Sequence, residues 1–257
     1  MTVAHITGAA RGIGKSIALR LARDGHDVAV SDLAVMAAEL EATRKEIEAI
    51  GVRAVALHGD VSDPESVRRL VAETAGQLGS LDVMVANAGI AQTKALLEVG
   101  PDEYDKVHAV NGRGVFLCYT EAARQMIAQG TGGKILGAGS IASHKGFALL
   151  GVYCSSKFAV RALTQAAAQE WAPHGITVNA YCPGIVATTM WEEIDHDLGE
   201  INGVETGESM KEMAAGISLG RVSTGEDVAK LVSFLAGPDS DYMTGQSVLV
   251  DGGMIFA

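Results

Sequence analysis

Seven short apolar runs recur along the chain, separated by longer amphipathic segments, and this alternation limits the fold more than any other feature. The runs are nearly continuous in Val, Ile, Leu and Ala, as expected of strands that are buried on both faces. Strands alternating with helices join by right-handed crossovers into a parallel sheet with helices on both sides. The sequence therefore predicts an α/β fold with a doubly wound parallel sheet. The predicted strands are Val3–Thr7, Val28–Ser31, Ala54–His58, Val83–Ala86, Lys134–Gly137, Thr177–Tyr181 and Ser247–Val250.

The alternation breaks once, at about 188–220, where an insertion rich in Met, Glu and Gly precedes the last predicted helix. Long irregular segments in compact domains are often lids or binding loops, so a substrate loop is expected here. A solvated surface excursion is the alternative. No linker, repeat or low-complexity stretch divides the 257 residues, which predicts a single domain over 1–257.

The charge balance limits the partners. The chain has 31 Asp and Glu against 20 Lys and Arg, a formal net charge of −11. It lacks the basic surface that nucleic-acid binding requires, and anionic lipid headgroups would repel it. We therefore expect no nucleic-acid partner and no membrane partner.

Cysteine and histidine usage argues against disulfides and metals. Cys118, Cys154 and Cys182 show no CxxC spacing, and the seven histidines show no paired metal-ligand spacing. An apolar run begins at Val3 and leaves no room for a signal peptide, which favours a cytoplasmic protein with reduced thiols and no metal.

A glycine-rich turn follows the first predicted strand and opens the first predicted helix. Thr7–Gly14 has the pattern TGxxxGxG. Glycines there let a pyrophosphate approach the backbone, and a helix N-terminus offers free N–H groups and a partial positive charge. The strand–turn–helix context makes this a predicted dinucleotide site. Its expected cofactor contacts are Gly8, Arg11, Gly12, Ile13 and Gly14.

Asp32 ends the second strand 18 residues after Gly14, where a carboxylate can bind the ribose hydroxyls of the adenosine. A carboxylate there repels the 2′-phosphate of NADP, and Leu33 offers no compensating cation. Arg11 could reach that phosphate and favour NADP, so Asp32 and Arg11 favour different cofactors. NAD(H) is the expected cofactor, with NADP less favoured. A simple strand-end cap is the alternative role of Asp32.

Further cofactor contacts are expected at the carboxyl ends of later strands, where doubly wound sheets bind their ligands. These residues are Asp60, Val61, Asn87, Ala88, Gly89, Pro183, Gly184, Val186 and Thr188.

A tyrosine and a lysine provide the candidate proton chemistry. Tyr153 and Lys157 lie four residues apart in a predicted helix, so their side chains share one face. A free tyrosine has a pKa of about 10, and a general base at neutral pH needs it lowered by roughly three units. The ammonium of Lys157 can supply part of that, and an oxidised nicotinamide more. Ser140, at the end of the fifth strand, can hold a substrate oxygen. The amide of Asn111 can hold a water.

Together, Thr7–Gly14, Asn87-Ala88-Gly89, Asn111, Ser140, Tyr153, Lys157 and Pro183-Gly184 resemble the short-chain dehydrogenase/reductase family in order and spacing over essentially the whole chain. The resemblance implies a three-layer Rossmann fold with a seven-stranded sheet, NAD(P) dependence and commonly a homotetramer. It makes Tyr153 the general acid/base, with Lys157 lowering its pKa and binding the nicotinamide ribose. Ser140 would orient the carbonyl and Asn111 would anchor a proton-relay water.

Other segments resemble the acetoin/diacetyl reductases, or 2,3-butanediol dehydrogenases, of that family. They are Gly89–Gln92, Gln165–Asp195, Ile201–Gly203 and Val250–Met254. The resemblance implies interconversion of diacetyl, acetoin and butanediol with NAD(H). With Ser140 and Tyr153, the apolar residues Ile141, Phe147, Met190 and Trp191 would enclose a small carbonyl or alcohol that has no charged group.

Three alternatives stay open at this point. The four apolar residues could be ordinary packing of the core or lid. The chain could be a polyol, sugar or other secondary-alcohol dehydrogenase of the same family, or a catalytically silent NAD-binding protein. The retained Ser140, Tyr153 and Lys157 argue against the silent protein.

Overall fold

The computed structural model describes residues 2–256 and contains the parallel sheet that the apolar runs predict. Seven strands lie in the order β3-β2-β1-β4-β5-β6-β7, and every pairing is parallel. The strands are β1 Val3–Thr7, β2 Asp27–Asp32, β3 Ala54–His58, β4 Val83–Ala86, β5 Gly133–Ala138, β6 Ile176–Pro183 and β7 Ser247–Val250. Four match the predicted bounds, and the others extend by one or two residues at each end.

Helices cover both faces of the sheet. They are α1 Gly12–Arg23, α2 Ala37–Glu48, α3 Pro64–Leu78, α4 Pro101–His108, α5 Val115–Gln129, α6 Gly151–Trp171, α7 Thr189–Asn202, α8 Glu208–Ala214 and α9 Gly225–Ala236. One core cluster joins the sheet to α1, α2 and α9, and a second joins it to α3, α5 and α6. This is the expected three-layer Rossmann fold in one domain. Within residues 2–256, none of the helices combines the length and apolar character needed to span a membrane.

The strand order reverses between β1 and β4, which places their carboxyl ends on either side of a crevice. Ligands of doubly wound sheets bind at such a switch point. The glycine turn follows β1 and the segment from Asn87 follows β4, so the fold brings these two predicted cofactor segments together.

The insertion at 188–220 is largely helical, not irregular as the sequence analysis assumed. Ile194 and Leu198, four residues apart on α7, bury one face of that helix. The buried carboxylate of Asp195 accepts hydrogen bonds from the backbone N–H of Gly207 and of Met210, the latter at 2.6 Å, and so fastens α8 to α7. The four-residue spacing of Ile194 and Leu198 was the sequence signal that could have predicted this helix.

A buried histidine links the sheet to one helical layer. His5 on β1 is fully buried, with Nε2 2.9 Å from Ser31 Oγ and Nδ1 3.0 Å from Thr74 Oγ1. Since the Thr74 hydroxyl donates to Leu70 O, it accepts the Nδ1 proton, and the ring is neutral. Burial lowers the pKa of His5 to about 4.

This burial predicts acid sensitivity. Because the folded pKa of His5 is depressed, its contribution to stability is complete above the unfolded value of about 6.5 and is lost as the pH falls towards 4. The wild-type free energy of unfolding should therefore decline by up to about 3 kcal/mol more over this range than that of His5→Gln. Urea denaturation at several pH values measures the difference. Parallel pH profiles for the two proteins would contradict it.

Candidate active site

Most of the predicted site residues line a single cleft of about 410 Å³ at the carboxyl edge of the sheet. Among them the structure places Gly8, Arg11, Gly12, Ile13, Gly14, Asp32, Asn87, Gly89, Ser140, Ile141, Phe147, Tyr153, Lys157, Pro183, Gly184, Val186, Thr188, Met190 and Trp191 in its walls. The cleft therefore joins the glycine turn at one end to the tyrosine and lysine at the other.

Four predicted residues are not in the walls of the cleft. Asp60 lines a separate shallow depression, and its Oδ1 accepts hydrogen bonds from the backbone and hydroxyl of Ser62. Val61 is buried and packs closely against Gly114. The N–H of Ala88 is bound to Thr7 Oγ1 at 3.0 Å. Asn111, the fourth, is fully buried behind the cleft.

The glycines of the turn are required mainly by contacts within the protein. Gly8 has a φ of +64°, and a Cβ there would lie 2.8 Å from Ala88 Cα. A Cβ on Gly14 would overlap Gly8 O and lie 2.5 Å from Asn87 Nδ2. Gly12, with a φ of +59°, has more room, since its Cβ would approach only Thr188 Cγ2 at 3.7 Å. Close packing of strand ends is thus a second reason for the glycines, beside access for a pyrophosphate.

Asn87 joins the two strand ends that border the crevice. Its Nδ2 donates to Thr7 O at 2.9 Å and Gly8 O at 3.1 Å, and its Oδ1 accepts from Tyr181 OH at 2.9 Å. Its own N–H donates to Thr7 Oγ1. One side chain therefore holds the glycine turn against β4 and β6.

Asp32 is both a strand-end acceptor and a wall of the cleft. Its Oδ2 accepts from Ala10 N at 3.0 Å and its Oδ1 from Leu33 N at 2.9 Å. A carboxylate has about four lone-pair sites, so two remain for a hydroxyl donor in the cleft. The cap and the ribose contact are compatible roles.

The catalytic candidates converge from β5 and α6. Ser140 follows β5, while Tyr153 and Lys157 lie one turn apart on α6, with Lys157 Nζ 5.5 Å from the centroid of the tyrosine ring. Lys157 Nζ donates to Ala138 O at 2.8 Å. The Ser140 side chain lies near Tyr153 and accepts the backbone N–H of Ala142 at 3.1 Å. All three side chains are largely removed from solvent.

Burial is the largest influence on the pKa values of Tyr153 and Lys157. Burial raises the pKa of Tyr153 to about 12, and the nearby Ser140 side chain offsets only part of the effect. Burial also lowers the pKa of Lys157 to about 8. Lys157 is not among the causes of the Tyr153 shift, so the lowering of the Tyr153 pKa that the family resemblance implies stays a prediction. A tyrosine held in its protonated form is well suited to donate a proton.

Asn111 lies in a π-helical turn, Ala109–Gly114, between α4 and α5. Its Nδ2 donates to Ile90 O at 2.8 Å and Ser156 Oγ at 3.1 Å, and its Oδ1 accepts from Ile90 N at 2.9 Å. Both amide protons are thus used. A water held by this side chain would have to donate to the remaining lone pair of Oδ1.

Several wall residues escaped the sequence analysis. Ile194 follows Met190 by four positions on α7, a helical spacing that was visible in the sequence. Met213 comes from α8 and Lys106 from α4, and no local pattern connects either with the cleft.

Comparison with known proteins identifies the family. A family model described as "Enoyl-(Acyl carrier protein) reductase" matches residues 8–255. The chain is 51% identical to L-2,3-butanediol dehydrogenase of Corynebacterium glutamicum, over 99% of this chain and 98% of that relative. This chain belongs to the short-chain dehydrogenase/reductase family. It is therefore an oxidoreductase of a family that uses nicotinamide cofactors.

Two further proteins are similar to this chain over nearly its whole length. A diacetyl reductase of the (S)-acetoin-forming type from Staphylococcus epidermidis is 45% identical, over 98% of each chain. An acetoin dehydrogenase from Salmonella typhimurium, known from its crystal structure, has 34% sequence identity to this chain. The two structures superpose with a TM-score of 0.86, over 98% of this chain and 95% of the other. Both agree with the subgroup that the sequence resembles.

The packing of the glycine turn predicts unequal effects of added methyl groups. Gly14→Ala should lower the free energy of unfolding by about 3 kcal/mol, because its methyl meets backbone and Asn87. Gly12→Ala should cost about 1 kcal/mol, from the left-handed backbone alone. Urea denaturation without nucleotide compares them. Equal losses would show that contacts within the turn do not set the glycine requirement.

Proposed function

We propose that this family member is an NAD(H)-dependent reductase of small vicinal ketones. It reduces diacetyl and acetoin and, in reverse, oxidises 2,3-butanediol. The observation that carries the proposal is the convergence of Ser140, Tyr153 and Lys157 on a cleft whose inner walls are apolar. The names of the relatives described above support the substrate class.

The cleft fits a dinucleotide. The glycine turn and the N-terminus of α1 offer backbone N–H groups to a pyrophosphate, and Asp32 keeps free lone pairs for ribose hydroxyls. A carboxylate beside the ribose disfavours the extra phosphate of NADP by charge repulsion, so NADH is the expected reductant. Arg11 is exposed in the same wall and is the residue most able to reverse that preference.

The chain contributes positioning and a proton. When bound, the nicotinamide supplies a hydride to the carbonyl carbon. Ser140 donates a hydrogen bond to the carbonyl oxygen, and Tyr153 delivers its hydroxyl proton to that oxygen, so the ketone becomes an alcohol. Lys157, cationic below pH about 8, stabilises the tyrosinate left behind. Asn111 anchors the water that returns a proton from solvent.

The walls around the reacting end favour a neutral substrate. Ile141 is buried, while Phe147, Met190 and Trp191 are partly buried around the cleft. Glu193, exposed on α7, adds a negative charge to the wall and would repel carboxylates and phosphates. A four-carbon diketone or hydroxyketone meets these conditions. The helices α7 and α8 act as the substrate lid, since Met190, Trp191 and Met213 all lie on them.

The assembly and location belong to the same proposal. Tyr104 on α4, Phe116 on α5 and Phe158 on α6 are all more than 40% exposed, and association into the homotetramer that the family resemblance implies could bury them. The cytoplasmic location expected from the sequence stays a prediction.

A substrate and cofactor panel tests the function. NADH oxidation with diacetyl and acetoin should be fast, NADPH oxidation should be at least tenfold less efficient, and polyols should react weakly. Tyr153→Phe should lower turnover at least 1000-fold, because it removes the proton donor, while NADH affinity stays within about threefold. Fast polyol oxidation beside feeble acetoin turnover would favour the polyol dehydrogenase, and wild-type NADH binding without turnover would favour the silent protein. Retained turnover in Tyr153→Phe would refute the assigned acid.

The apolar wall should also select the carbonyl face that meets the hydride. The double variant Ile141→Thr/Phe147→Tyr keeps approximate shape but adds hydroxyl groups, and we expect it to change the ratio of acetoin and butanediol stereoisomers severalfold. Chiral chromatography of the products measures the ratio. Ile135→Thr, buried on β5 but outside the cleft, is the control for a merely destabilised core. Unchanged product stereochemistry in the double variant would contradict the assignment.

A further inference from the structure

Ser143 is a fully buried serine at the centre of the catalytic arrangement, yet it does not line the cleft. It is the last residue of the short 3₁₀ helix Ile141–Ser143, which follows Ser140. Its hydroxyl oxygen accepts the backbone N–H of Ser140 at 3.2 Å. The same hydroxyl donates to Lys157 O at 2.8 Å. One side chain thus bridges the backbones of two proposed catalytic residues.

These two bonds connect elements that are otherwise separate in the chain. Ser140 follows β5, whereas Lys157 lies 17 residues later on α6 together with Tyr153. A second tether joins the same elements, since Lys157 Nζ donates to Ala138 O. That second bond uses the catalytic ammonium itself, and the Ser143 bridge does not. Ser143 therefore holds the backbones in register while leaving the reacting groups free.

Water is no ready substitute for the hydroxyl, although the Cys182 thiol lies beside Ser143 and the backbone of Ser140. A methyl group on Gly139 would lie 2.5 Å from Cys182 Sγ and 3.1 Å from Ser143 Oγ, so the region is tightly packed. Removing one hydroxyl opens much less than the roughly 30 Å³ that a water occupies. In an alanine variant both bonds would be lost, and water would not replace them.

We propose that Ser143 is a positioning residue that sets the separation between the Ser140 hydroxyl and the Tyr153–Lys157 pair. The inference rests on the proposed ketone reduction and adds to it a residue that touches neither substrate nor nucleotide. Misplacement of a catalytic group by about 1 Å can cost on the order of 100-fold in rate. Because the tether through Ala138 remains, we expect a loss of about tenfold.

The test measures hydride transfer directly in Ser143→Ala. Enzyme premixed with NADH is combined with saturating diacetyl, and the single-turnover loss of NADH absorbance gives the rate. The expected result is a rate about tenfold below wild type, with NADH affinity, measured by fluorescence titration, within about threefold. The affinity is retained because the glycine turn and Asp32 hold the far end of the nucleotide.

Ser240→Ala is the matched control. Ser240 is also fully buried and also ends a three-residue 3₁₀ helix, Pro238–Ser240, and its hydroxyl donates to Leu235 O at 2.9 Å. It lies outside the walls of the cleft. Both alanine variants should lose similar thermal stability, and only Ser143→Ala should slow hydride transfer.

The outcomes separate the inference from the proposed function. A hydride-transfer rate in Ser143→Ala within twofold of wild type, or an equal loss in both variants, overturns the positioning role alone. A wild-type protein that reduces no ketone overturns the proposed function and the inference with it. Should the alanine variant fail to fold, Ser143→Cys and Ser240→Cys take its place. A loss of at least threefold confined to Ser143→Cys then supports the role, and any smaller or shared loss overturns it.

Discussion

The strands of this protein are buried on both faces, and most of its architecture follows from that. A strand such as β1, with every residue buried, can be satisfied only by helices above and below the sheet. Each strand must then be followed by a crossover helix before the next parallel strand begins. All carboxyl ends meet at one edge, and the reversal of order between β1 and β4 opens the cleft there. The cleft is a consequence of the packing requirement.

Polar groups at this edge serve the fold and the proposed chemistry together. Asn87 binds three neighbouring groups and also lines the cleft, and Asp32 accepts two backbone N–H groups while facing the expected ribose. Ser140, Ser143 and Lys157 form a continuous hydrogen-bonded chain between β5 and α6. Buried polar groups are expensive unless they are bonded, so the fold holds its reactive side chains by satisfying them.

Local patterns predicted those parts of the site that depend on chain-neighbour geometry. The four-residue separation of Tyr153 and Lys157 places both on one helix face whatever else the chain does. The strand–turn–helix context of Thr7–Gly14 likewise predicted a turn between β1 and α1, which forms one end of the cleft. The helical insertion was missed because its composition resembled a loop, although the spacing of Ile194 and Leu198 was typical of a buried helix face.

The amino-acid sequence by itself determined the layer order, the bounds of four strands and most of the residues that line the cleft. Those properties depend on periodicity and on residue type, which are local. Only the tertiary structure decided that burial raises the pKa of Tyr153, that Asn111 lies in a π-helical turn, and that Ser143 bridges Ser140 to Lys157. Each of these depends on desolvation or on contacts between distant segments, and no spacing along the chain encodes which atoms will surround a group once the layers have packed.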